Sequence, residues 1–296
     1  LWSARRFFFT SCSSVALAVG SKVMLEARNV SVRRGSKALI AQASLAIVPG
    51  RLTAIIGPNG AGKSTLLRTI AGELKPSEGN VFLDGTDIAR IPVARLAARR
   101  SVVSQASTLT FPFTVLEVVM MGATVPGFAL RDADAAAAAQ DALTSVGLHS
   151  FAPRLINELS GGERQRVHIA RAICQMNTAR RHPGETAAIL LDEPTASLDL
   201  KHQDDVLSLV KAQSQNGRAV LLVIHDLNLA AAFADEIVLM AEGRIVAQGD
   251  PNDILNEELL SHTFGCRLRV EAFSDGRRLV LPNAISRKMG RGVAAE

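Results

Sequence analysis

Cysteine is scarce in this chain. Cys12, Cys174 and Cys266 are scattered over 296 residues, with no CxxC pair and no Cys/His cluster. An odd, dispersed set supports neither a zinc site nor a disulfide framework, and a reducing compartment is the expectation. Long apolar runs are missing as well. The longest, such as residues 219–224, fall far short of the ~18 residues a membrane-spanning helix needs, so any membrane role requires a partner. The body of the chain also lacks excess charge. Arg5, Arg6 and Lys22 stand unopposed in residues 1–23, and Arg287, Lys288 and Arg291 face only Glu296 in residues 283–296; these two ends account for the whole net charge of +5. A neutral body with basic tails argues against a nucleic-acid partner. Tyrosine is absent, and no internal repeat is evident. What remains, 48% hydrophobic and 21% charged with 22 Gly and 11 Pro, is a globular composition. Its length suits two domains, or one large α/β unit with an appendage.

Residues 1–23 superficially resemble a signal peptide, with a basic start followed by an apolar stretch. The nucleotide chemistry described below would be stranded by secretion, and Met24 opens a well-patterned strand. The expectation is a non-native or dispensable leader ahead of a start at Met24. Residues 25–32 and 44–48, separated by a polar turn over 33–37, predict an antiparallel β patch. The apolar run 52–56 stops at Gly57, and a helical segment over 63–71 ends at Gly72. Further compact runs at 101–104, 187–191 and 219–224 alternate with helical patterns, as buried parallel strands of an α/β sheet do. Between them, residues 115–122, 132–146 and 159 onward predict a helical subdomain over about 106–166. Residues 267–273 and 277–281 flank Ser274-Asp275-Gly276 and read as a β-hairpin. The main domain is expected over 24–262, with the hairpin and a basic tail over 263–296.

Gly57, Pro58, Asn59, Gly60, Ala61, Gly62, Lys63 and Ser64 match G-x-x-x-x-G-K-[ST] between a strand and a helix. The glycines let successive N–H groups face phosphate oxygens, and the helix N-terminus adds positive potential. Lys63 reaches the β and γ phosphates, Ser64 ligates Mg²⁺, and Thr65 adds an α-phosphate contact. Residues 188–193 form an apolar strand ending in two carboxylates. With a phosphate loop upstream, Asp192 is expected to hold Mg²⁺ through its water shell and Glu193 to orient or deprotonate the attacking water.

Leu159-Ser160-Gly161-Gly162-Glu163-Arg164-Gln165 resembles the signature motif of ATP-binding cassette (ABC) proteins. The resemblance extends, in the family's order, through Gln105, Ser197-Leu198-Asp199 and His225, and covers residues 25–260 approximately. It implies a P-loop ABC ATPase core, a mixed parallel sheet with helices, carrying an antiparallel β patch and a helical signature subdomain. Two copies would sandwich two ATP molecules head to tail, with Ser160, Gly161, Gly162 and Glu163 of each copy serving the other's nucleotide and Asp199 crossing the interface. Glu193, His225 and Gln105 would form the catalytic set, and Ser64, Gln105 and Asp192 the Mg²⁺ site. One departure stands out. The family usually places an adenine-stacking aromatic just ahead of a glycine like Gly35, where this chain has Arg34; a guanidinium plane can stack on a base, but adenine selectivity is here inherited from the family.

The segment 109–122 is unusually apolar for a subdomain surface, and its Phe and Met side chains suit a partner helix. In the family this region receives a helix of the membrane permease. Together with the Ala-rich stretch, the polar insertion 175–186, LDEPTASLDLKHQ and HDLNLAA, it resembles the ATPase subunits of iron-siderophore, vitamin B12 and hemin importers. The insertion and the terminal hairpin are most similar to the hemin-importing members. That resemblance implies two permease copies, an indirect periplasmic hemin-binding protein, no nucleic acid, and a place on the cytoplasmic face of the inner membrane. The competing class, a soluble cassette ATPase acting on nucleic acid or ribosomes, usually carries paired cassettes or long coiled-coil insertions. Glu193 argues against a third, a module that binds ATP without turnover.

Overall fold

A computed structural model describes residues 23–104, 111–125, 130–179, 185–274 and 276–282. Gln105, Leu109, Thr110, Asp275 and the two basic ends lie outside the described residues. The chain opens with β1 (Leu25–Arg34) and β2 (Lys37–Ile47), an antiparallel pair. β2 begins seven residues earlier than the sequence pattern predicts. In its first half Lys37, Ala38 and Gln42 are exposed and only Ile40 is buried, so the apolar residues there do not alternate with polar ones as a half-buried strand's usually do, and the pattern alone does not mark the strand. β4 (Glu78–Leu83) and β5 (Thr86–Asp87) complete a four-stranded sheet of order β2-β1-β4-β5.

The second sheet has six strands, in the order β10-β9-β3-β8-β7-β6. Its members are β3 (Leu52–Ile56), β6 (Arg100–Val103), β7 (Ala188–Asp192), β8 (Ala219–Val223), β9 (Glu236–Ala241) and β10 (Arg244–Gly249). All neighbours run parallel except the β9–β10 hairpin, which gives the expected mixed α/β sheet. The alternation along each central strand assigns its side chains to two cores. Leu52, Ala54, Ile56, Ile189, Leu191, Val220 and Leu222 face one cluster, while Ile55, Ala188, Leu190, Ala219, Leu221 and Val223 face the other. A strand buried on both faces must be apolar throughout, and so these segments read as continuous runs.

The helices are α1 (Lys63–Ile70), α2 (Val93–Arg99), α3 (Val115–Met120), α4 (Asp132–Ser145), α5 (Gly161–Thr178), α6 (Leu200–Gln215), α7 (Leu227–Phe233), α8 (Pro251–Ile254) and α9 (Glu257–Phe264). α3, α4 and the first part of α5 pack on one another through Val115, Val118, Val119, Ala139, Leu143 and Val167. Reciprocal capping boxes start α3 (Thr114 with Glu117) and α5 (Ser160 with Glu163), which satisfies N–H groups a helix cannot pair internally. The C-terminal hairpin forms as expected from β11 (Leu268–Ala272) and β12 (Arg278–Pro282).

α5 also buries two titratable groups. Burial pushes the Cys174 thiol up to about 11, so it stays protonated and unreactive. His168 is pushed down to about 4, first by burial and then by the charges of Arg171 and Arg164. Folding therefore favours its neutral ring: that stability is present above the ordinary histidine value and is lost as pH falls from 6.5 towards 4. From neutral pH to a pH below 4 the loss amounts to about 3 kcal/mol. His168→Leu should consequently show a shallower fall of melting temperature than the parent between pH 7 and pH 4. Parallel curves would remove His168 as the titrating group.

Candidate functional site

The phosphate-type loop leaves β3 at Gly57, whose φ is 146°, and a Cβ there would lie 2.1 Å from the Met240 carbonyl oxygen. Only glycine fits between β3 and β9. The loop is braced from the β9–β10 turn: the Gly243 N–H donates to the Ala61 carbonyl (3.1 Å), and the Ala41 N–H donates to the Gly243 carbonyl (2.8 Å). Lys63, the first residue of α1, folds back so that Nζ donates to the carbonyls of Gly57 (2.8 Å) and Pro58 (3.0 Å). Burial lowers its pKa, and the charges of Glu193 and Asp192 oppose that shift.

Ser64 Oγ donates to Asp192 Oδ1 at 2.9 Å, joining the start of α1 to the end of β7. The Asp192 pKa is raised chiefly by burial and further by neighbouring Glu193, while the Ser64 hydrogen bond works against the rise. A hydroxyl and a carboxylate are hard oxygen donors, and a buried carboxylate beside a second one is stabilised by a cation. Among the described residues no cluster of three or more His, Cys, Asp or Glu could hold a metal by itself. That donor set fits Mg²⁺, which usually binds through one or two protein oxygens, with phosphates and water completing the shell.

At Glu193 the backbone turns left-handed (φ 51°) while its N–H still donates to the Val223 carbonyl (3.1 Å). A non-glycine residue with this φ is uncommon and marks a constrained position. Its carboxylate meets His225 Nε2 at 2.5 Å, bridging the ends of β7 and β8. Adjacent Asp192 and Glu193 therefore face different partners. Both members of the Glu193–His225 pair border an open cleft of 740 Å³ that is also lined by Asn59, Gly60, Ala61, Gly62, Lys63, Ser64 and Thr65.

Ser160 caps α5: its Oγ accepts from the Glu163 N–H (3.3 Å), and the Glu163 carboxylate accepts from the Ser160 N–H (2.8 Å) and hydroxyl (2.7 Å). Those two hydrogen bonds hold the Glu163 carboxyl below the usual range. Behind it, a Cβ on Gly162 would come within 2.5 Å of the His202 ring, so a glycine is required for α5 to meet α6. Asp199 caps α6, accepting from the His202 N–H (2.9 Å) and Nδ1 (2.7 Å), and its carboxyl is lowered by those bonds. Ser160, Gly161, Gly162, Glu163 and Asp199 are absent from the cleft lining. The structure thus brings the loop, Asp192, Glu193 and His225 together and leaves the signature residues apart from them. Gln105 lies outside the described residues.

Sequence reasoning overlooked Lys37, Ala38, Leu39, Glu242 and Gly243, which line the same cleft. None carries a motif; the one signal was the glycine of a turn that no pattern linked to the loop. Among the described residues the lining includes no Phe or Trp, and Arg34 is exposed at the end of β1.

Residues 40–196 match the family model described as "ABC transporter". The hemin import ATP-binding protein HmuV of Rhizobium meliloti (strain 1021) is 45% identical over 248 residues, covering 83% of this chain and 93% of that protein. The HmuV of Chelativorans sp. (strain BNC1) is 45% identical over 253 residues, covering 86% and 95%. Among solved structures, an inward-facing metal-chelate type ABC transporter shares 28% identity at a TM-score of 0.73, covering 89% of this chain and 99% of that one. A dimeric bacterial ABC transporter cassette shares 29% identity at a TM-score of 0.66, covering 77% and 99%.

Proposed function

This chain belongs to the ABC transporter family, and from that premise we propose that it is the ATP-hydrolysing subunit of a bacterial importer, energising hemin uptake through a partner permease. The observation that carries the reading is the convergence of Lys63, Ser64, Glu193 and His225 on one cleft, with Asp192 hydrogen-bonded to Ser64 beside it. In this proposal Lys63 exchanges its loop carbonyls for the β and γ phosphates of ATP. The backbone of residues 57–62 and the side chains of Ser64 and Thr65 complete the phosphate site. Ser64, Gln105 and, through water, Asp192 hold Mg²⁺, which when bound neutralises phosphate charge. Glu193 accepts the proton of the attacking water, and His225 orients Glu193 and the γ-phosphate.

Ser160, Gly161, Gly162 and Glu163 serve the ATP of a second copy, with Asp199 at that interface; their separation from the chain's own cleft supports this. Closure of the dimer follows ATP binding. We assign the cassette to 24–262, its helical subdomain to about 106–166 and the hairpin with its basic tail to 263–296. The permease helix docks beside α3. There Val115, Val118 and Val119 are buried core, whereas Phe111 is 71% exposed, stacked edge-on against Phe113 with centroids 6.2 Å apart, and Met121 is 36% exposed. No helix among the described residues is long and apolar enough to cross a membrane. In this reading the subunit sits at the cytoplasmic face of the inner membrane on two permease copies, and hemin reaches the permease from a periplasmic binding protein.

The likeness to a metal-chelate type transporter favours one second reading, uptake of a ferric siderophore or vitamin B12 by the same machinery. Vesicles containing the complete complex should accumulate hemin only with ATP, and accumulate neither alternative to a comparable extent. Preferential uptake of a siderophore or vitamin B12 would keep the ATPase and replace the cargo.

A further inference from the structure

His225 belongs to a short connection between β8 and α7, and its side chain is 45% exposed, so packing alone does little to fix the ring. The connection is instead held at both ends. On one side the Ile224 N–H donates to the Ile55 carbonyl at 3.2 Å. On the other, Asp226 Oδ1 accepts from the N–H groups of Asn228 (2.8 Å) and Leu229 (3.0 Å), which starts α7 immediately after His225.

The side chain of Asn228 then reaches the C-terminal hairpin. Its Oδ1 accepts from the Val280 N–H at 2.7 Å, and its Nδ2 donates to the Val280 carbonyl at 3.2 Å. One amide thus takes both main-chain groups of a single β12 residue, as a neighbouring strand would. Among the described strands β12 pairs with β11 alone, in a two-stranded sheet, so groups on its other edge need partners elsewhere. An isolated two-stranded ribbon is marginal in water and takes its position from what it packs against. Here Val280 is 6% exposed within the larger core cluster, alongside Ala230 of α7 and Leu255 and Leu260 beneath it. The Arg278 guanidinium also donates to the Leu255 carbonyl at 2.8 Å.

We infer that the β11–β12 hairpin is a positioning element for His225, acting through the two hydrogen bonds between Asn228 and Val280. Asn228 touches no reacting atom in this assignment. It fixes the first turn of α7 against the hairpin, and so fixes the main chain from which His225 reaches Glu193. A ring held within a fraction of an ångström of its working position counts because small misplacements of a reacting group are amplified in the rate. The inference rests on the role given above to His225.

The test is a double-mutant cycle on the purified full chain, following single-turnover ATP hydrolysis and ATP affinity. Asn228→Ala should slow hydrolysis about tenfold with ATP affinity unchanged. Asn228→Asp keeps the acceptor for the Val280 N–H and loses the donor to its carbonyl, so it should fall between that variant and the parent; it also carries the comparison should Asn228→Ala not fold. In a His225→Ala background the Asn228 substitutions should have no further effect, because the residue they position is gone. An unchanged rate in the single variants, or the same loss in both backgrounds, would reduce the contact to scaffolding and overturn the inference. A normal rate for His225→Ala alone would instead show that the role of His225 is wrong, and the inference would fall with it.

Discussion

Glu193→Gln should bind ATP as the parent does and hydrolyse it at least about 10²-fold more slowly, the loss expected when a water-activating group disappears. The amide matches the carboxylate in size and can still hydrogen-bond His225, so the geometry that joins β7 to β8 is preserved. What it lacks is a site able to take a proton at neutral pH. Unfolding cannot account for the loss. The charge of Glu193 pushes the Asp192 carboxyl up but favours the Lys63 cation, so removing it relieves one repulsion and gives up one attraction, and the melting temperature should change little. Steady-state ATPase and equilibrium nucleotide binding on the same preparation check both halves. Near-normal turnover would take Glu193 out of the catalytic set.

The parts of this molecule visible in its sequence are those where one physical requirement dominates a short segment. β3, β7 and β8 are buried on both faces, so each must be an apolar run, and each was predicted to within a residue or so. The loop from Gly57 to Ser64 is legible because phosphate geometry demands those residue types in that order. What stayed hidden depends on distant segments meeting. The first half of β2 carries no clean apolar/polar alternation, and only its pairing with β1 makes it a strand. Gly243 is a turn glycine like many others, and its contact with the phosphate loop exists only once β9 lies beside β3. Asn228 reads as an ordinary first-turn residue until β12 arrives from 52 positions downstream.

The same distinction separates the two halves of the ATP site. The loop, Asp192, Glu193 and His225 are brought together within one chain, while the signature N-terminus of α5 lies apart from them, with Ser160 exposed and its hydroxyl engaged by Glu163. N–H groups in the first turn of a helix have no partners within it, which suits them to an anion brought by another molecule. In the proposed dimer, symmetry would let each loop be completed by the signature residues of the second copy.

Mixing two inactive variants tests that arrangement. A Lys63→Ala homodimer should lose turnover by about 10²-fold or more, because both loops lack the phosphate-binding cation. A Ser160→Arg homodimer should be equally impaired, because both signature elements carry a bulky cation in place of the cap. Loss of that cap costs α5 about 1 kcal/mol, too little to unfold the chain, and the exposed position leaves room for the longer side chain. In the heterodimer, the Ser160→Arg chain supplies an intact Lys63 and the Lys63→Ala chain supplies an intact Ser160, and these meet at one of the two sites. The other site carries both lesions. With random pairing in an equal mixture, about a quarter of all sites are intact, so activity should return to a measurable fraction of the parent's although neither component has any. If heterodimers are demonstrated by differently tagged chains and hydrolysis stays at the level of the two homodimers, each site must draw its loop and its signature residues from the same chain, and the dimer-sandwich reading fails.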